Sequence, residues 1–533
     1  VLQKVRSGLT AAGTTARVLG KSGVIRPHSP AGLVRGGLAL RSWGLGPAGG
    51  FTAAARLDPH RTAVVDELGS LTYDELHRRS NALARAFADH GVGSGDGVAI
   101  MCRNHRGFID ASIATAKLGA DSLYLNTAFA RPQLLEVVER ERPKLIVLDQ
   151  EFAGLLEGAE VDVRVLAWTD GPTEGPTIES LVASRSDADV PPASRHGRIV
   201  ILTSGTTGTP KGAPRSEAGL EAAVSLLSRM PLRYGWRTHI AAPLFHTWGF
   251  AHFALSMLLG STMVLRRRFD PESCLAVATD ERCDSIAVIP VMLQRILALP
   301  AETLDRYDLS RVKVVASSGS ALPGDLALTW MDRFGDNLYN IYGSTEVAYA
   351  SIATPEDLRA APDAAGKPPY ATVVKILDEA GVEVPHGDSG RIFVGNGLLF
   401  PGYTGGGGKE LIGGLMSTGD VGRFDADGRL HVEGRDDEMI VSGGENVFPK
   451  EVEDCLARHD AVLEVAAVGV DDADFGKRLR AYVAVARPVT EAELKEHVKD
   501  NLARFKVPRE IVFLDELPRN ATGKVLKRDL STE

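Results

Sequence analysis

The sequence predicts an α/β protein in two parts: a large, layered amino-terminal domain with parallel-rich sheets, followed by a small α+β carboxy-terminal domain. Three observations carry that expectation. A chain of 533 residues exceeds what one hydrophobic core ordinarily covers. From about Phe51 short β-rich runs alternate with helical patterns, as in layered α/β architecture. Near Gly434 that alternation gives way to a compact block with helices and strands of its own.

The elements follow in order. Thr72 and Glu75 open a capping box, and Leu76, Leu83, Ala84 and Phe87 then recur at helical spacing until Gly91 stops the helix. Short apolar strands are expected at Val98–Met101, Lys144–Leu148, Arg198–Leu202, Ile286–Ile289, Val312–Ala316 and Leu338–Tyr342, each entering a turn. Ligands of open α/β sheets bind beyond the carboxyl ends of strands, so those turns are where a site would be built. The final block reads as a helix over Lys450–His459, strands around Val465–Val470 and Leu479–Val485, and a helix over Glu491–Arg504. Gly405–Gly408 reads as a flexible loop.

Composition removes several classes. Hydrophobic residues at 44% and charged residues at 24% are ordinary for a globular chain. A formal net charge of -9 argues against a nucleic-acid partner, which would call for a basic surplus. Cys102, Cys274, Cys283 and Cys455 lack metal-ligand spacing and read as buried or inert thiols in a reducing, cytoplasmic setting. No apolar run approaches the ~18 to 20 residues of a membrane-spanning helix. Residues 1–49 are locally basic, with Lys4, Arg6, Arg17, Lys21, Arg26, Arg35 and Arg41, and the first acidic residue is Asp58. Three readings of that extension stay open: an organellar transit peptide, a basic segment resting on the inner membrane surface, or a poorly ordered terminus. No compact apolar region of the secretory kind precedes a cleavage-like site.

The most specific chemistry is in Thr203-Ser204-Gly205-Thr206-Thr207-Gly208-Thr209-Pro210-Lys211-Gly212, read as a loop between a strand and a helix. Glycines let backbone amides turn toward a polyanion, hydroxyls add donors, and Lys211 adds a point charge. This is a phosphate cradle, and its spacing is not that of a Walker A loop.

The loop resembles the signature of the adenylate-forming superfamily, which contains acyl-CoA synthetases, luciferases and peptide-synthetase adenylation domains. Four further motifs match in the family's order, from Phe51 to the carboxyl terminus. Tyr339–Glu346 looks like the segment for adenine, phosphate and magnesium, and Ser417-Thr418-Gly419-Asp420 looks like the ribose motif. Gly434-Arg435-Asp436-Asp437 resembles the interdomain hinge, and Asn520-Ala521-Thr522-Gly523-Lys524 the loop of the essential lysine. The resemblance implies domains at 50–434 (AMP-binding) and 438–533, joined by a hinge at 435–437 that pivots on Asp437. It also implies ATP, Mg²⁺ and CoA as cofactors, and adenylation of a carboxylic acid followed by transfer to a thiol. In that scheme Thr203, Ser204, Gly205, Thr206, Thr207, Gly208 and Lys211 grip the β- and γ-phosphates. Thr345 touches the α-phosphate, Glu346 holds the metal, and Lys524 neutralises charge in the adenylation transition state. Tyr342, Gly343 and Ser344 together with Ser318, Gly319 and Ser320 hold the adenosine, Asp420 accepts both ribose hydroxyls, and Arg435 reinforces the nucleotide. Gly443 and Gly444 line the pantetheine path.

Pro243–Phe250 resembles the motif that borders the acyl site, with His246 as a candidate carboxylate partner or pocket gate. Trp248, Phe250, Phe253, Val291 and Met292 are the candidate lining residues, set against a plain core role. No charge is evident there to greet an amine, so an apolar acid, a medium- or long-chain fatty acid, is expected. The alternatives are an enzyme passing an aryl or fatty acyl group to a carrier protein or an amine, and a nucleotide-binding pseudoenzyme. A homodimer is compatible with the sequence.

Overall fold

A strand covered on both faces has to be apolar along its length, and the runs at Val98–Met101 and Leu145–Leu148 are of that kind. The computed structural model describes residues 2–27, 29–202, 211–215, 219–404, 406–436, 440–442, 445–472, 476–502, 506–520 and 523–530. The chain is α/β and divides into two units: residues 1–317 with 369–371 and 396–408, and residues 318–368 with 372–395 and 409–533. The expected boundary at Gly434 falls inside the second unit.

The first unit opens with helices α1 (Leu2–Lys21), α2 (Pro30–Trp43) and α3 (Pro47–Leu57), in and just beyond the stretch read as a basic extension. Its strands are β1 (Thr62–Asp66), β2 (Gly69–Thr72), β3 (Gly97–Met101), β4 (Asp121–Tyr124), β5 (Leu145–Asp149), β6 (Val163–Trp168), β7 (Ile199–Leu202), β8 (Gly212–Arg215), β9 (Arg237–Ile240), β10 (Thr262–Val264), β11 (Ser285–Val288) and β12 (Val314–Ser317). One sheet runs β6-β5-β3-β4-β7-β8 and is parallel except for β7 against β8. The other runs β12-β11-β9-β10-β1-β2 within this unit and is parallel except for β1 against β2. Helix α4 (Tyr73–Asp89) carries the expected capping box: Thr72 Oγ1 accepts from the Glu75 amide at 3.2 Å, and Glu75 accepts from the Thr72 amide at 2.7 Å.

The Thr203–Gly212 loop does not lead into a helix. Gly212–Arg215 is itself a strand, and β7 and β8 form an antiparallel pair in which Leu202 faces Gly212. Pro214 lacks an amide for a ladder, and an edge strand such as β8 is where a proline is tolerated.

In the second unit β13 (Leu338–Tyr342) and β14 (Ser351–Ala353) pair antiparallel. A further antiparallel sheet joins β15 (Val373–Leu377), β16 (Gly390–Gly395), β17 (Leu411–Ile412), β18 (Leu415–Phe424) and β19 (Leu430–Arg435). The carboxy-terminal sheet holds β20 (Ile440–Ser442), β21 (Glu445–Val447), β22 (Val462–Asp472), β23 (Gly476–Val485) and β24 (Glu510–Phe513). Its core combines Val452, Cys455 and Leu456 of the helix Pro449–Ala457 with Leu479 and Ala481, and with Leu494 and Val498 of the helix Glu491–Asn501. Strands β22 and β23 outrun the expected segments because one continuous ladder, from Val462 opposite Val485 to Asp472 opposite Gly476, carries polar residues past the apolar stretch. The last long helix stops at Asn501 and not at Arg504, since Leu502 is already extended at φ -132°.

Cys102, Cys274, Cys283 and Cys455 are all unpaired and buried. No helix among the described residues is long and apolar enough to cross a membrane. One buried ion pair ties the two sheets' elements in the first unit: Arg106, at the start of helix α5 (Arg106–Lys117), donates from Nε at 3.0 Å and from Nη2 at 2.5 Å to Asp66 at the end of β1. The Asp66 side chain is fully buried. Removing it strands a guanidinium away from water, so Asp66→Ala should lower the unfolding free energy by roughly 3–5 kcal/mol in urea titrations.

Candidate active site

Asp420 lies in β18, directly opposite Arg435 of β19. Its carboxylate accepts from the Tyr342 hydroxyl at 2.5 Å on one oxygen and from Arg435 Nη1 at 3.4 Å on the other. Thr418 and Gly419 set the approach: the Thr418 hydroxyl donates to the Ile392 carbonyl at 3.1 Å and accepts from the Asp420 amide at 3.1 Å. Gly419 has φ +79°, and a Cβ there would stand 3.2 Å from the Arg435 guanidinium. Burial pushes the Asp420 carboxyl up, while the Tyr342 hydroxyl and the charges of Arg435 and Lys524 pull it back. Burial, reinforced by the Asp420 charge, holds the Tyr342 phenol well above its usual value. This donor and acceptor set fits a ribose diol beside an aromatic face.

Tyr342 ends β13, and the following turn presents Thr345 and Glu346, both half-buried. Ser344 builds that turn, its Oγ accepting from the Glu346 amide at 3.2 Å and the Val347 amide at 3.3 Å. Gly343 has no room for a side chain, because a Cβ would sit 2.3 Å from the Ala348 carbonyl oxygen. The Ser318 hydroxyl donates to the Ile341 carbonyl at 2.8 Å, Gly319 follows at φ +99°, and Ser320 is half-buried. The Ser318 hydroxyl thus spends its donor on the turn and the Ser344 oxygen its lone pairs, which leaves the Ser344 hydroxyl hydrogen free to donate. Glu346 supplies a carboxylate oxygen of the hard type that Mg²⁺ takes. Lys524 is exposed, in a turn where Asn520 Oδ1 accepts from its amide at 2.9 Å, and its charge acts on Asp420.

The first unit carries the other candidates. Lys211 is exposed and stands 5.2 Å from the centre of the Tyr403 ring. Thr203, Ser204, Gly205, Thr206, Thr207 and Gly208 lie outside the described residues, as do Asp437, Gly443 and Gly444. His246 and Trp248 follow β9, and Val291 and Met292 follow β11; the two strands are neighbours and parallel, so all four residues lie beyond the same carboxyl edge. The Trp248 indole donates to the Val288 carbonyl at 3.0 Å, tying the helix Thr247–Leu259 to the end of β11. His246 Nε2 is buried without a hydrogen-bond partner, and burial pushes the imidazole down to about 3. Trp248, Phe250, Val291 and Met292 are all buried. Phe253 departs from a lining role: it is fully buried, 5.3 Å from Phe51 and 6.2 Å from Phe108 by ring centres, and belongs to the core.

Asn104 was not legible as part of this arrangement. It sits just past the carboxyl end of β3, and its buried amide donates to the Ile240 and Ala242 carbonyls at 3.0 and 2.9 Å and accepts from the Leu244 amide at 2.9 Å. It thereby fixes the segment leading into His246. An asparagine after an apolar parallel strand was the available signal, but the partners lie about 140 residues on. Nearby, Cys102, His105 and Asp149 bring potential ligand atoms within 4.8 Å of one another. Both imidazole nitrogens are occupied, Nδ1 by the Gly107 amide at 3.0 Å and Nε2 by Asp149 at 2.8 Å, and burial raises the Cys102 thiol. That cluster is structural.

Two family models match the chain: AMP-binding enzyme over residues 51–404, and AMP-binding enzyme C-terminal domain over residues 451–524. The chain belongs to the AMP-binding enzyme family. A feruloyl-CoA synthase from an Amycolatopsis species is 32% identical over 484 residues, covering 89% of this chain and 96% of that protein. A 2-succinylbenzoate–CoA ligase from Bacillus licheniformis is 33% identical over 489 residues, covering 89% and 98%. Among solved structures, the o-succinylbenzoate CoA synthetase of Bacillus subtilis with its acyl-adenylate intermediate is similar with a TM-score of 0.79 and 28% identity, covering 90% of this chain and 97% of that one. An amide bond synthetase from Marinactinospora thermotolerans is similar with a TM-score of 0.78 and 28% identity, covering 89% and 96%. This AMP-binding enzyme is an AMP-forming acid–CoA ligase that uses ATP, Mg²⁺ and CoA.

Burial also lowers His252 and His239 to about 4. A histidine that is neutral when folded and titrates near 6.5 when unfolded binds its proton more readily in the unfolded chain, so its contribution is complete above about pH 6.5 and lost as pH falls toward the folded value. Urea midpoints should accordingly drop between about pH 6.5 and 5, and His252→Leu should flatten that slope relative to the parent.

Proposed function

We propose that this ligase activates an aromatic carboxylic acid. The observation that carries this reading is that relatives 31–33% identical over 89% of the chain are named for ring-bearing acids: ferulate, 2-succinylbenzoate and, in Aromatoleum aromaticum, indoleacetate. The expected preference for a linear fatty acid rested on the apolarity of Phe250–Leu259 and Ile289–Ile296. Phe253, within the first of those segments, is accounted for by packing against Phe51.

The chemistry assigned to the residues runs in two steps. A carboxylate oxygen of the acid attacks the α-phosphorus of ATP; the bond to the bridging oxygen breaks, and pyrophosphate leaves with the electron pair. Thr203–Lys211 would grip the departing phosphates, Thr345 would contact the α-phosphate, and Lys524 would offset charge developing there. Glu346 would hold Mg²⁺, which when bound draws charge from the phosphate oxygens. Tyr342, Asp420 and Arg435 would hold the adenosine, with the Ser318–Ser320 turn at its edge. His246, neutral and with a buried nitrogen, would act as a polar contact at the acyl site and not as a titrating base. In the second step the CoA thiolate attacks the acyl carbon, the carbon–oxygen bond to AMP breaks, and the thioester and AMP separate. Gly443 and Gly444 would line the path of the thiol, and Asp437 would be the pivot between the two steps.

Pyrophosphate release with ATP, Mg²⁺ and a panel of acids, with and without CoA, checks this directly. Cinnamic, benzoic and arylacetic acids should exceed straight-chain fatty acids in kcat/KM by roughly tenfold or more, the discrimination expected of a few kcal/mol of pocket fit. Equal or better turnover of fatty acids contradicts the aromatic assignment, and adenylate consumed by amines but not by CoA contradicts the acceptor.

A further inference from the structure

Helix α2 is built inside out. Gly32, Gly36 and Ala39, its smallest residues, are the buried ones, while Leu33, Val34 and Leu38 are between 51% and 61% exposed. The glycine face packs closely on α3: a Cβ on Gly36 would stand 3.1 Å from the Leu57 side chain. A helix docked through its large apolar residues buries the opposite side. Here tight packing through glycine is what turns the leucines and valine outward. Leu45, just past the helix end, and Ile25, just before it, are 46% and 59% exposed and extend the apolar surface.

The charge carried by α1 and α2 has one sign, while Arg26 and Arg56 nearby are paired with Asp58 and Asp189. Arg35 and Arg41 are exposed on α2, and Arg17 and Lys21 are exposed on α1. Eight basic residues and no acidic one precede Asp58, in a chain whose net charge is -9. An exposed apolar stripe flanked only by cations is the composition that places a helix in the headgroup layer of an anionic membrane, with long cationic side chains reaching back to the phosphates. A symmetric contact with a second copy fits less well, because it would set Arg35 and Arg41 against their own counterparts.

We infer that the outward face of α2, centred on Leu33, Val34 and Leu38 and flanked by Arg35 and Arg41, docks this enzyme on the surface of an anionic lipid bilayer. The helix would lie in the plane of the interface, and the catalytic residues take no part.

Flotation of the full chain with phosphatidylcholine vesicles, with and without phosphatidylglycerol, tests the assignment. The parent should float with the anionic vesicles, less so as salt is raised, and only weakly with phosphatidylcholine alone. L33S/V34S/L38S, three exposed positions, should bind anionic vesicles roughly tenfold less well or worse, and R35E/R41E should lose the preference for phosphatidylglycerol. Both variants should keep the parent's acid-dependent pyrophosphate release in solution, which shows that they fold. No flotation of the parent overturns the inference, as does undiminished flotation of the triple-serine variant. A concentration-dependent dimer of the parent that the same variant abolishes assigns the face to a second copy instead.

Discussion

A carboxylate that is to accept both hydroxyls of a ribose has to be partly withdrawn from water and yet remain charged. The opposition is visible at Asp420, where burial favours the protonated acid and the Tyr342 hydroxyl, Arg435 and Lys524 favour the anion. Each partner reaches it by a different route. Tyr342 arrives at the end of β13, Arg435 by the register of β18 and β19, and the charge of Lys524 from the carboxy-terminal turn. Through Tyr342 the same contact anchors the turn that carries Thr345 and Glu346. Gly343 is required because a Cβ there would run into the Ala348 carbonyl oxygen, and Gly419 is favoured because its backbone is left-handed at φ +79°. The contact therefore constrains the residues of the second unit that are proposed to hold the nucleotide.

What the sequence revealed was what lies in short, local signals. Thr72 and Glu75 mark a helix start because both partners of a capping box sit within one turn. The strands at Gly97–Met101 and Leu145–Asp149 were legible because strands buried on both faces are apolar along nearly their whole length. The Tyr-Gly-Ser-Thr-Glu and Thr-Gly-Asp motifs stood out since their chemistry is packed into a few adjacent positions. Long-range bonds left no such trace. Asn104 serves a segment far along the chain, and nothing beside it announces that its three hydrogen bonds go there. Strand pairing was hidden for the same reason: Gly212–Arg215 is too short and too proline-bearing to read as a strand until β7 supplies its partner.

The acyl region shows a different limit. Hydrophobic character cannot separate a residue that greets a substrate from one that fills a core. Geometry divides them. Phe253 packs among Phe51, Phe108 and Phe250, whereas His246 buries a nitrogen without a hydrogen-bond partner among the described residues. An unpaired buried polar atom is costly in a plain core, and His246 shares this feature with His252 on the helix that follows. The same distinction applies at α2, where the inward residues are the small ones and the pattern of large residues alone would have suggested the opposite orientation.

The central claim is that the acid is activated as an acyl-adenylate before its transfer to CoA. The most direct measurement follows oxygen. With the acid isotopically labelled at its carboxylate oxygens, thioester formation should deliver one labelled oxygen to the phosphate of AMP and none to pyrophosphate, as attack of the carboxylate on the α-phosphorus requires. Label in pyrophosphate or inorganic phosphate, or thioester formed together with unlabelled AMP, would contradict the account.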